Sequence, residues 1–422
     1  MAKYVITGEK TLKGRVKVGG NKNAILPLLA SSLLTDEQVT FTNVPQISDA
    51  IVMCQLLERI GCKVRGIGTE KVVIEPRGVK NWQLPPDLVS KLRASILLMG
   101  PMLARFGKVS LRHPGGCIIG RRPVGTHFDA LHQLGADIMT LETDYQGKAK
   151  NLTGTTIFLD EASVTATENA LMAAVTAKGT TVIKNAACEP HVVDLTSCLI
   201  QMGANISGIG TNTLVIQGVA KLHGTTYAVR PDHIEVGTYA TIAAVTGSDL
   251  VIEDVRPEDL HMIVLTLQRF GVSLTYEKSG KKTDLHVRKS QLHGVAKVNT
   301  GPWPAFPTDL MSVLLVLATQ AQGVTLCHDW MYEGRMFFIE KLVTMGANII
   351  LCDPHRAVVF GHMHLRGKVM DSPDIRAGMA LVVAALCAEG ESEISRIEFV
   401  ERGYANVTEK LRSLGAKITR SE

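Results

Sequence analysis

The chain is poor in the features that mark whole classes of protein. Its eight cysteines (Cys54, Cys62, Cys117, Cys188, Cys198, Cys327, Cys352 and Cys387) include no C-x-x-C pair. Neither a zinc ribbon nor a disulfide framework is expected, and most of these thiols should sit in the core as small apolar residues. No uncharged apolar run approaches the ~18 residues of a membrane span. No Lys/Arg run marks a nucleic-acid tail, and the net charge of +5 is scattered along the chain. So small an excess of cations suits an anionic metabolite. The first residues, MAKYVITGEK, lack the apolar core of a signal peptide, so the expected location is the cytoplasm, with no membrane insertion and no nucleic acid as partner.

What is present is a globular composition, 45% apolar and 20% charged over 422 residues. That is longer than one hydrophobic core usually spans, so two domains are expected.

One phrase recurs six times: an apolar helix-like stretch, a glycine, a short spacer and an aliphatic residue. The copies are LLERIGCKV, LHQLGADI, LIQMGANI, LQRFGVSL, KLVTMGANI and KLRSLGAKI, centred on Gly61, Gly135, Gly203, Gly271, Gly346 and Gly415. Such a glycine ends a helix in a left-handed conformation, after which a strand opens. A second set of segments (EQVTFTNV, GKVSLRH, GTTVIKN, GSDLVIED, GVTLCHD and ESEISRI) alternates apolar and polar residues as half-buried strands do. Six mixed strand-and-helix modules of roughly 70 residues are too large for a solenoid, and three per domain fits the length. The main crossing is expected near Arg230-Pro231-Asp232.

Four segments carry residues suited to chemistry. In VGGNKNAILP, Asn23 is read as the start of a helix, with Lys22 beside its anion-friendly N-terminus; alone, the segment also suits a plain loop. RHPGGCIIGRRPVGTH is a long Gly/Pro-rich loop that sets Cys117 among Arg112, Arg121 and Arg122, and cationic neighbours raise thiol reactivity. In GPWPAFPTDLMSV three prolines stiffen the approach to Thr308 and Asp309, either of which suits a helix cap; a rigid carboxylate also suits a general base. Arg335, Arg376 and Arg402 add guanidinium groups that grip phosphate and carboxylate.

Taken together, GNKNAILP, RASI, PGGCIIGRRPV, PAFPTD, YEGR, DIRAG and ERGY resemble, in order and spacing, the enolpyruvyl transferases, and within them the branch that uses UDP-N-acetylglucosamine at the first committed step of peptidoglycan synthesis. The shikimate-pathway branch lacks the PGGC loop. The resemblance implies an α/β (α+β) fold: two similar domains, each of three βαβαββ units forming an inverted α/β barrel, with the active site in the interdomain cleft. The domains would be 21–230, carrying the Cys117 loop, and 1–20 plus 231–422. It implies phosphoenolpyruvate and UDP-N-acetylglucosamine as substrates and no cofactor or metal. It assigns Cys117 as the thiol that protonates phosphoenolpyruvate and reacts with epoxides such as fosfomycin, and Asp309 as base. Lys22 and Asn23 would contact both substrates, and Arg122, Arg376 and Arg402 would hold phosphate and carboxylate. Arg93, Pro123, Val124, Ser163, Val164, Met331 and Arg335 complete the implied binding set.

The chain departs from that family's pattern at Ser48 and Glu161 (usually Lys), Leu97 (often aromatic), Gly125 and Thr126 (commonly Asp and Leu), Thr165 (usually Gly) and Cys188 (usually Arg). These changes lie mainly at the nucleotide end. They leave open transfer to a different nucleotide or nucleotide sugar, and a silent paralogue that only binds one.

Overall fold

The six glycine-centred phrases fold as the same turn. Gly61, Gly135, Gly203, Gly271, Gly346 and Gly415 all have positive φ, between 87° and 120°. The glycine N–H bonds back three residues and the next N–H bonds back five, as in Gly61 N to Glu58 O (3.0 Å) with Cys62 N to Leu57 O (2.9 Å). At the last copy Gly415 N reaches Arg412 O (2.9 Å) and Ala416 N reaches Leu411 O (3.0 Å). This pairing satisfies the carbonyls left over at a helix end and needs a backbone that L side chains resist. A strand follows each turn, from Lys63–Arg65 in the first copy to Lys417–Ser421 in the last.

The computed structural model describes residues 2–115, 120, 122–280 and 282–422; Cys117 lies outside the described residues. Contacts divide the chain into two units. One holds residues 20–115 and 122–230, the other residues 2–19, 120 and 231–422. Strand Lys3–Thr7 pairs antiparallel with Glu391–Ser395 and Lys417–Ser421, and Lys13–Lys17 runs parallel to Asp249–Glu253, so the first residues complete two sheets of the second unit.

The described strands form six sheets, and five share one order. A short edge strand runs parallel to its neighbour, and two antiparallel strands follow. In one of them Lys297–Asn299 lies parallel to Gly323–His328, which pairs antiparallel with Arg356–Gly361 and that in turn with Asn348–Asp353. In the sixth, the parallel edge shrinks to a bridge between Gln83 and Ser110. All six alternating segments are strands; Thr180–Lys184 shows the expected in-out burial.

In the unit with the C-terminal half, helices His233–Val245, Met311–Gln320 and Ile375–Cys387 pack on one another, and each rests on a different sheet. Every residue of Met311–Gln320 is buried. Helices apolar all round belong inside, so each "barrel" has helices within and separate open sheets without. The other unit repeats the plan with Val164–Ala174 on the Thr180–Lys184 sheet and Met99–Phe106 on the Lys108–Arg112 sheet.

Of the seven described cysteines, Cys54, Cys62, Cys198 and Cys327 are buried; burial pushes the thiols of Cys54, Cys62 and Cys327 up to about 12. Cys188 and Cys387 are half-buried and Cys352 is exposed, because it lies on the strand Asn348–Asp353 at the edge of its sheet. No described helix is long and apolar enough to cross a membrane.

Gly415→Ala should cost about 1 kcal/mol, because a Cβ there meets nothing within 4 Å and only the backbone is strained. Gly61→Ala should cost more, because its Cβ would lie 2.3 Å from the Gly78 carbonyl oxygen. Urea unfolding of the two variants separates backbone strain from collision; equal losses would show that the collision is relieved.

Candidate functional site

Several of the expected site residues, Lys22, Asn23, Ser163, Val164 and Arg376, lie at the starts of largely buried helices. A helix surrounded by apolar neighbours has its unbonded N–H groups and its room for polar side chains at its first turn.

In the unit of residues 20–115 and 122–230, helix Lys22–Ser31 is capped by Asn21, whose side chain accepts from Asn23 N (2.8 Å) and Ala24 N (3.2 Å). The cap is thus Asn21, not Asn23: a side-chain oxygen two residues before the second free N–H reaches it, whereas Asn23 already lies inside the helix. Lys22 is the first helical residue, and its Nζ lies 3.6 Å from Oδ2 of the buried Asp49. Ser48, exposed, begins the helix that carries Asp49.

Arg93 opens the 3-10 segment Arg93–Leu98 and donates from Nη2 to the carbonyl of Arg122. Pro123 is exposed and half-buried Val124 precedes helix Gly125–Gln133. Ser163 caps helix Val164–Ala174, its hydroxyl accepting from Ala166 N at 3.4 Å. Leu97 is fully buried, and at Cys188 burial, then the neighbouring Glu189, raises the thiol above its ordinary range. A cavity of about 360 Å³ opens along helix Gly125–Gln133, walled by Thr126, Asp129, His132, Gln133, Phe158 and Asp160.

Sequence reasoning missed the buried pair His127 and Asn169. Asn169 Nδ2 lies 2.9 Å from His127 Nδ1, and His127 Nε2 lies 3.0 Å from Thr165 Oγ1. Burial, then the Arg93 guanidinium, push the His127 imidazole down to about 3. The signal available was a histidine at the exit of the Gly-rich loop, in RRPVGTH.

In the other unit, Asp309 joins two arginines. Its Oδ2 accepts from Arg376 Nη2 at 2.7 Å and its Oδ1 from Arg335 Nη2 at 3.1 Å. The arginine side chains are only 5% and 2% exposed. The helix-cap reading of Asp309 fails: Pro307 precedes the 3-10 turn Thr308–Leu310, no side chain caps it, and the carboxylate goes to the guanidinium groups instead. Arg376 is the second residue of Ile375–Cys387, capped by Asp374 (2.7 Å to Arg376 N), and its guanidinium stacks 5.3 Å over the Tyr404 ring. Burial works against its charge, but Asp309, Tyr404 and Asp232 outweigh that and raise its pKa further, so it is permanently cationic. Arg376 Nη1 and Arg335 Nε are buried with no hydrogen-bond partner among the described residues. Two unsatisfied cationic donors beside one carboxylate suit a small anion with several oxygens.

Arg402, half-buried, ends the 3-10 turn Val400–Arg402, two residues before Tyr404. Met331 is positioned by Asp329, a fully buried residue that sequence reasoning left inside a strand phrase. Its Oδ1 accepts from Met331 N (3.1 Å) and Tyr332 N (3.0 Å), and its Oδ2 from the hydroxyl of Thr308 (2.5 Å), next to Asp309. His233, first residue of its helix, is also buried; burial lowers its pKa, while Asp232 and Asp309 oppose the shift.

The sequence model of the family EPSP synthase (3-phosphoshikimate 1-carboxyvinyltransferase) matches residues 6–411. The chain is 46% identical over 426 residues to the UDP-N-acetylglucosamine 1-carboxyvinyltransferase of Treponema denticola, covering 100% of both. It is 47% identical to the protein of that name from Bradyrhizobium diazoefficiens, over 99% of this chain and 97% of the other. Among solved structures, the enolpyruvyl transferase NikO from Streptomyces tendae matches with a TM-score of 0.88 at 24% identity, over 100% of this chain and 99% of that one. An EPSP synthase from Acinetobacter baumannii matches with a TM-score of 0.78 at 22% identity, over 100% of both. At these identities the two structures speak to the fold alone.

His127 is unprotonated in the fold above about pH 3 but takes a proton near its ordinary 6.5 once unfolded. Between those values the unfolded state binds more protons, so stability falls as pH drops below 6.5, by up to about 1.4 kcal/mol per pH unit. The stability gap between the parent and His127→Gln, measured by urea unfolding from pH 7 to pH 5, should change with that slope. A constant gap would mean that His127 takes up its proton at the same pH in the folded and unfolded states.

Proposed function

The chain belongs to the EPSP synthase family of carboxyvinyltransferases, and on that premise we propose that it transfers the enolpyruvyl group of phosphoenolpyruvate to the 3-hydroxyl of UDP-N-acetylglucosamine, releasing phosphate. The observation that carries the reading is identity of 46–47% along essentially the whole length with enzymes of that name. Transfer to another acceptor, or binding without turnover, has no comparable support. Phosphoenolpyruvate is a cytoplasmic metabolite, so the reading puts the reaction, a step in peptidoglycan synthesis, in the cytoplasm.

The chemistry is an addition followed by an elimination. The Cys117 thiol gives its proton to C3 of phosphoenolpyruvate, and C2 becomes electron-poor. The sugar O3 bonds to C2 while its proton passes to the Asp309 carboxylate, giving a tetrahedral ketal. The Cys117 thiolate then takes a proton back from C3 as the C2–O bond to phosphate breaks, the proton on Asp309 leaves with the phosphate, and the enol ether and inorganic phosphate remain. Arg122, Arg376 and Arg402 hold the phosphate and carboxylate, and Lys22 and Asn23 contact both substrates. Arg93, Pro123, Val124, Ser163, Val164, Met331 and Arg335 hold the acceptor and its surroundings.

Two observations support the anion and base roles. Arg376 Nη1 and Arg335 Nε are buried donors that lack a partner among the described residues, and substrate oxygens would complete them. Both oxygens of Asp309 are engaged by Arg335 and Arg376. A substrate anion that takes over either guanidinium frees an oxygen to accept the hydroxyl proton, which ties the base to the arrival of phosphoenolpyruvate.

Phosphate release from phosphoenolpyruvate should saturate with UDP-N-acetylglucosamine; release with other nucleotide sugars only would overturn the acceptor. Cys117→Ala should lower turnover about 10²–10⁴-fold while calorimetry still detects acceptor binding. Cys117→Asp should retain activity and resist epoxide inactivation; a Cys117→Ala variant of normal rate would remove the thiol from the mechanism.

A further inference from the structure

Two side-chain hydroxyls tie together the segments assigned above to the acceptor. The first segment, 122–127, runs from Arg122 into the first turn of Gly125–Gln133. The second, 160–165, is the turn that brings Ser163 and Val164 to the start of their helix. Thr126 Oγ1 donates to Asp160 Oδ1 at 2.6 Å, and the same oxygen accepts from Glu161 N at 3.0 Å. One residue further along the first segment and at the far end of the second, His127 Nε2 and Thr165 Oγ1 are 3.0 Å apart.

The direction of that second bond is forced. Asn169 Oδ1 accepts from Gly100 N (2.8 Å), so its Nδ2 is the donor toward both the Ile96 carbonyl (2.9 Å) and His127 Nδ1 (2.9 Å). His127 Nδ1 is therefore bare, its proton sits on Nε2, and Nε2 donates to the Thr165 hydroxyl. Asn169, His127 and Thr126 are 0%, 3% and 6% exposed, so water cannot readily replace a lost partner. Within the turn, Ser163 spends its hydroxyl on Ala166 N and its carbonyl on Thr167 N, which leaves the Val164 and Thr165 amides outside the helical ladder.

We propose that Thr126 and Thr165 are positioning residues for the acceptor: their two bonds fix the spacing of Pro123 and Val124 from the Ser163–Val164 helix start and so set the affinity for the nucleotide sugar, leaving the chemistry on phosphoenolpyruvate alone. The inference rests on the reading of Pro123, Val124, Ser163 and Val164 as acceptor-binding. Both threonines stand where the sequence departs from its family's pattern, so this chain holds the two segments with bonds that a leucine and a glycine could not make.

The test is steady-state kinetics with both substrates varied, on Thr126→Val, Thr165→Val, the matching Ser variants and Asp160→Ala. Asp160 is exposed, so its removal breaks the first bond from the side least able to disturb folding. The Val variants and Asp160→Ala should raise KM for UDP-N-acetylglucosamine about five- to tenfold, the size of one lost hydrogen bond. Their kcat and KM for phosphoenolpyruvate should stay within about twofold, and the Ser variants should recover the parent KM. The combined Val variant should show less than the product of the two effects, since both bonds hold the same pair of segments. An unchanged acceptor KM in Asp160→Ala and the Val variants, or a fall confined to kcat or to melting temperature, overturns the inference while the function stands. A parent enzyme with no saturable dependence on UDP-N-acetylglucosamine overturns the function as well.

Discussion

Two nearly inaccessible guanidinium groups, Arg335 and Arg376, are tolerable in this fold because the Asp309 carboxylate lies between them. A buried cation without a counter-charge is among the costliest things a protein can carry, and a shared carboxylate offsets only part of two of them. The remainder appears as donors without partners at Arg376 Nη1 and Arg335 Nε. Such a cluster is poorly optimised for stability and well suited to an anionic substrate. Asp309 is the counter-ion of both arginines, and the proposed base role adds a second duty that begins when a substrate anion relieves it.

The buried helices explain why such groups can exist in so apolar a core. Met311–Gln320 and Ile375–Cys387 offer no place along their length for a charge, since neighbours surround them on every side. Their first turns are different, because unbonded amides there already demand polar company. Asn21, Ser163, Asp232 and Asp374 meet that demand as caps, and Lys22, Val164, His233 and Arg376 follow each within two residues. Repetition of one strand-and-helix module thus delivers polar helix starts in each unit, and several of the candidate site residues lie at them.

The departures from the family pattern are less disruptive than they look in a linear sequence. Thr126 and Thr165 each join a hydrogen bond, to Asp160 and to His127. Leu97 is fully buried. Cys188 keeps its proton, since burial and Glu189 hold its thiol up, so what replaces a usual cation is a neutral group. These substitutions read as an alternative way of holding the same segments, in keeping with relatives that share the sequence over its length.

The sixfold plan was legible in the residues because its cause is local. A glycine of positive φ after a helix, and alternation along a strand, are decided within a few residues, and all six copies folded as read. The motifs that name Lys22, Asp309, Arg376 and Arg402 were equally plain. Hidden from any linear reading was the partnership of Asp309 with residues 26 and 67 positions away, the choice of Asn21 over Asn23 as cap, and the chain of bonds from Gly100 through Asn169 to the proton on His127 Nε2. Those depend on which groups burial leaves without water. Only the packed tertiary structure decides that, because a polar atom chooses its partner from whatever the fold has placed within reach.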